Sequence, residues 1–162
     1  MRRGWVTLVT ASGVLIGATA CSAQPVDGRL DEFQPRAEEI HQRVIEAVPD
    51  DATSSAATSA ASIDESEWLV PRERQAAHWS TQSLVTVGAT GARDTARLAG
   101  VPLIDAGWSA ESIADADGSF ADTYRLQDAG GGEWIVDISQ TPQGRLAVLV
   151  QSPLTVRGSE TG

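Results

Sequence analysis

The feature that most constrains this chain is the alternation in its last third. Residues 120–152 read "FADTYRLQDAGGGEWIVDISQTPQGRLAVLVQS". Trp134, Val136 and Ile138 alternate with Glu133, Asp137 and Ser139, and Leu146, Val148 and Val150 alternate with Arg145 and Gln151. A period of two puts successive side chains on opposite faces of a strand, so these runs describe an antiparallel sheet with one covered face. The six apolar residues form its expected core, at a register that a slip of one residue would invert. Ile135 and Leu149 stand on the other parity and predict partial cover of the second face, supplied by an N-terminal helix. Between the runs, "DADG", "DAGGG" and "TPQG" carry turn chemistry.

Reading back from there adds two strands and a helix. "HWSTQSLVTVG" places Trp79, Val85 and Val87 on one parity and predicts a strand at 78–87. "ARDTARLAGVPLIDAG" predicts a helix over about 91–106, kinked or interrupted at Pro102 and capped by Gly107. Strands at 108–114, 120–127, 133–139 and 145–152 follow. The expectation is an α+β domain over residues 67–157. Its antiparallel sheet has about five strands in the order β-α-β-β-β-β, covered by the helix. Residues 158–162 form a frayed tail.

Two further segments precede the domain. In residues 31–48, Phe33, Ala37, Ile40, Val44 and Val48 continue from Leu30 at steps of three and four, the helix period. Asp31 suits the N-cap, Pro35 falls near the first turn and Pro49 ends the run. This amphipathic helix needs a partner for its apolar stripe, which the sheet can supply, and His41 is placed on its solvated side. Residues 49–66 include "DDATSSAATSAAS", with no large apolar side chain to offset the entropy of ordering, and read as a flexible, disordered linker.

The first twenty residues are of another kind. "MRRGW" is a positive start, "VTLVTASGVLIGA" is an apolar run too short for an ordinary membrane span, and small residues lead to Cys21, the single cysteine. Residues 1–20 are an export signal, with cleavage expected between Ala20 and Cys21. Secretion without lipid fits the same bond. A lone cysteine has no disulfide partner within the chain, and lipidation accounts for both its uniqueness and its position. Two acyl chains would supply a stable anchor, with residues 21–30 as the tether. The expected location is the extracytoplasmic face of the cell membrane.

Ala18-Thr19-Ala20-Cys21 resembles the bacterial lipobox, departing from it at Ala18, where the pattern prefers Leu. Together with the Ala/Ser/Thr stretch and "YRLQDAGGGEWIVDISQ", it makes the chain similar to small lipoproteins of actinobacteria. That resemblance implies lipid attachment at Cys21 and no catalytic residue, since the group has no common activity.

The remaining residues give little chemistry. The net charge is −10, and loss of Arg2 and Arg3 with the signal takes it to −12, which repels nucleic-acid phosphate. Asp115-Ala116-Asp117-Gly118 has the start of a calcium loop, but Leu126 stands where a glutamate is wanted. Gly130-Gly131-Gly132 lies between strands with no lysine after it. Both read as hairpin turns. His41 and His78 have no second ligand at zinc spacing. No metal, cofactor or catalytic residue is expected. Trp68, near the linker, and Trp108, at a helix–strand junction, are the candidate binding surface if exposed. The expectation is a non-enzymatic binding or interaction module of the envelope, with an envelope protein or glycan as partner. A small-ligand or lipid carrier and a hydrolase with an unrecognised site are the alternatives.

Overall fold

The computed structural model describes residues 30–63, 71, 74–116 and 118–156. The signal, the Ala20–Cys21 bond, most of the tether, Trp68 and the tail lie outside the described residues.

Helix α1 spans Leu30–Glu46, with Pro35 inside it and Asp31 and Glu32 in its first turn, where the helix dipole favours acids. Its inward stripe is Ala37, Ile40, His41 and Val44. His41 is therefore not on the solvated side: it sits one helical turn from both Ala37 and Val44 and is only 5% exposed.

The chain then enters the sheet sooner than expected. β1 (Thr53–Ser54) and β2 (Thr58–Ile63) both pair antiparallel with one side of the long strand β3 (Ala76–Thr86). Much of the predicted linker is thus an edge strand in two pieces. Residues 55–57 break it, although Ser55 still exchanges bonds with Leu84, donating N–H to its carbonyl (2.8 Å) and accepting its N–H on Oγ (3.0 Å). Asp51 is also held, accepting the Thr90 N–H at 2.9 Å. An edge strand can be held by the backbone ladder of its neighbour without burying side chains, and composition reports only the side chains.

After β3, helix α2 (Ala92–Asp105) crosses one face of the sheet. It runs through Pro102 without interruption. It ends in a Schellman motif: Trp108 N–H donates to Leu103 O (3.0 Å) and Gly107 N–H to Ile104 O (2.9 Å), with Gly107 at φ 86°. Four strands follow as a meander, β4 (Ser109–Ala114), β5 (Phe120–Gln127), β6 (Glu133–Gln140) and β7 (Leu146–Gln151), and then the short β8 (Thr155–Val156). The order across the sheet is β1-β3-β7-β6-β5-β4, with β2 and β8 also on β3. The class is α+β, with two helices and an antiparallel sheet of eight strands among the described residues.

Trp134, Val136, Ile138, Leu146, Val148 and Val150 all face the helices and are at most 1% exposed. The register Val136↔Val150 and Ile138↔Val148 stacks them in pairs. Burying each such side chain contributes on the order of 1.5–3 kcal/mol. α1 lies on this same face. Phe33 meets Trp134 edge-on at 5.6 Å, and the Arg36 guanidinium sits 4.8 Å from the Trp134 ring centroid. The N-terminal helix therefore does not cover the second face. Ile135 and Leu149 are half-buried there.

Candidate functional site

The candidates read from the sequence disperse. Trp108 is 6% exposed, packed in as the last residue of the α2 cap, so it offers no surface. The turn after β4 closes through Gly118 N–H to Asp115 O (3.0 Å) and Asp115 N–H to Ser119 O (2.9 Å). In the next turn, Asp128 Oδ1 accepts the N–H groups of Gly130 and Gly132. Both are hairpin turns. Among the described residues no three His, Cys, Asp or Glu side chains gather as metal ligands. Gln151 Nε2 donates to His78 Nε2 at 3.1 Å on the face away from the helices.

One serine meets a histidine. His41 Nε2 lies 2.8 Å from Ser83 Oγ, between α1 and β3. Both residues are buried, and desolvation holds the imidazole below its ordinary pKa. A neutral imidazole can satisfy the Ser83 hydroxyl in either direction. An acyl group would have to displace α1 to reach it, so this pair serves to join helix and sheet.

The polar groups that do converge are on α2, β4 and β5. On β5 the parity that carries Phe120, Tyr124 and Leu126 toward the helices also carries Asp122, a carboxylate on the apolar side. The opposite β4 residue is Ser112, whose hydroxyl donates to Asp122 Oδ1. From the first turn of α2, Arg93 Nη2 donates to Ser112 Oγ at 3.0 Å, and its guanidinium lies 4.6 Å from the Phe120 ring centroid. Asp122 thus has a cation one hydroxyl away, which makes its burial tolerable. Arg97, one turn further along α2, leans over the same place. Its contact with Asp94 is 3.7 Å, with both side chains mostly exposed.

Arg93, Arg97, Ser112 and Asp122, with Ala110, Glu111 and Tyr124, line an open pocket of about 240 Å³ between α2 and the sheet. Tyr124 forms its inner wall. Burial pushes the phenol pKa up, the Asp122 charge pushes it further, and Arg93 opposes this. The hydroxyl therefore keeps its proton. A Cβ at Gly100 would overlap that hydroxyl, so the glycine makes room for it. The pocket was missed in the sequence, but a signal was there: an acid on the apolar parity of β5, and two arginines at i and i+4 on the helix that precedes it.

A second, larger depression of about 530 Å³ lies open on the uncovered sheet face, between the 55–57 loop and Leu84, Asp137 and Leu149. Ala121, Ser139 and Ala147 contribute to its lining. Asp137 accepts the Thr123 hydroxyl there at 2.6 Å.

Comparison with known proteins returns no match, whether to a family model, a curated protein or a solved structure.

Proposed function

We propose that this chain is a lipid-anchored, non-enzymatic binding module of the cell envelope, held to the extracytoplasmic face of the membrane through Cys21, with its ligand site in the Arg93–Asp122–Tyr124 pocket. The observation that carries the anchor is the sequence arrangement of Arg2-Arg3, a 13-residue apolar run and Ala18-Thr19-Ala20 before the only cysteine. The resemblance of Ala18-Thr19-Ala20-Cys21 to the bacterial lipobox supports the same reading. The binding role is supported by the polar groups around Asp122, which leave the core at one open place. The sealed Ser83–His41 pair argues against its serving as a hydrolytic centre.

Cys21→Ser is the test. The wild-type chain should fractionate with membranes and resist a salt wash, and Cys21→Ser should move to the soluble fraction. A Cys21→Ser protein that stays with washed membranes overturns the anchor.

A further inference from the structure

Tyr124 is 5% exposed, yet its hydroxyl makes no hydrogen bond among the described residues. Tyr124 lines the pocket, and its hydroxyl lies against α2 in the space that Gly100 leaves. The hydroxyl oxygen is not among the sealed, unpartnered side-chain atoms, so a ligand in the pocket can reach it; it keeps its proton and can donate. Arg97 brings further N–H donors to the pocket, engaged among the described residues by the loose contact with Asp94. Asp122 Oδ1 is taken by Ser112, while its other oxygen has no hydrogen bond among the described residues and can accept. Because Asp122 and Tyr124 are two residues apart on one face of β5, their backbone positions are about 7 Å apart.

That pattern selects a ligand. Free donors on one side want an anionic oxygen, and the free carboxylate oxygen wants a hydrogen. A compact polyanion such as phosphate would meet Asp122, and a bare cation would meet Arg93 and Arg97. A molecule with a carboxylate on one carbon and an N–H or O–H on the next matches both sides, and the pocket is small enough to suit it. We propose that the pocket binds a small α-amino or α-hydroxy acid, its carboxylate shared by Arg97 and the Tyr124 hydroxyl and its α-substituent donating to Asp122. This rests on reading the chain as a binding module, and it names the ligand class of that site.

The test is calorimetric titration of the full chain in detergent with L-alanine, D-alanine, lactate, acetate and inorganic phosphate. Alanine or lactate should bind saturably, with acetate and phosphate at least about tenfold weaker, since loss of a charge-assisted bond costs that much. Preference for alanine would mean that Asp122 reads an ammonium, and preference for lactate a hydroxyl; either supports the proposal. Arg97→Gln lies on the surface and should fold normally while weakening binding at least about tenfold. Tyr124→Phe should weaken it severalfold. The proposal is overturned if neither alanine nor lactate binds at about 20 mM. It is also overturned if acetate or phosphate binds as tightly, or if Arg97→Gln leaves affinity unchanged. Should titration fail while Cys21→Ser still releases the protein, the ligand class falls and the anchored module stands; the converse pair of results removes the anchor alone.

Discussion

β2 and β7 are the two flanks of β3, and they hold it by opposite means. Each pairs antiparallel with it over six residues, Thr58–Ile63 on one side and Leu146–Gln151 on the other. β7 buries Leu146, Val148 and Val150 almost completely. β2 is Thr-Ser-Ala-Ala-Ser-Ile, with nothing fully buried. A side-chain bond across to β3 joins Ser59 and Thr81, at 3.1 Å. Net backbone hydrogen bonds stabilise by about 0.5–1.5 kcal/mol each, close to the cost of ordering a residue. A ladder without burial is therefore nearly neutral, and the same ladder with burial is the core.

The largest expected effect is on the β7 side. Val148→Asp places an unpaired charge between α1 and the sheet and should cost at least about 4 kcal/mol, enough to unfold a domain of ordinary stability. Denaturant melts followed by circular dichroism give the number. A loss below about 1 kcal/mol would mean that β7 is no better held than β2.

Next comes what α1 adds to β3. His41 has its pKa lowered by burial, so the folded state favours the neutral ring. The stabilisation is then complete above the ordinary histidine value near 6.5 and is lost as the pH falls below it. The slope is bounded by one proton, about 1.4 kcal/mol per pH unit. Stability measured from pH 7 to pH 5 should fall, and His41→Gln should flatten that fall. An unchanged slope in His41→Gln would assign the pH dependence to other groups.

Deleting 55–63 removes β2 and should cost no more than about 1–2 kcal/mol, with β2 amides exchanging with solvent far faster than those of β7. Equal protection of the two strands would break the comparison outright. The smallest effect belongs to Asp137→Ala on the uncovered face, which loses the Thr123 bond and should cost under about 1 kcal/mol in the same melts.

The same contrast explains what could be read in the sequence. β5, β6 and β7 were legible because burial writes a period of two into their letters, and Gly107 was legible because a Schellman turn needs its backbone. β2 wrote nothing, since its order comes from the free edge of β3, 14 or more residues downstream in the chain. A helix–strand junction leaves the exposure of Trp108 open in the sequence, and the helix cap folds it inward. His41 could have been placed correctly by counting, for it shares the stripe of Ala37 and Val44. The pocket was half legible: Asp122 and Tyr124 share the apolar parity of β5, but their meeting with Arg93 and Arg97 depends on how far α2 lies across the sheet.

The Ala/Ser/Thr strip along β3 also bears on how the chain can age. A strand that packs nothing accepts almost any small or polar letter, so substitutions there leave the fold untouched while its length and its ability to form a ladder are retained. Its outer edge is short and nearly free of apolar side chains, which makes it a poor template for a second molecule. The strip is a spacer that drifts freely in spelling, and the innermost strands, which cannot drift, are spared from meeting other chains by it.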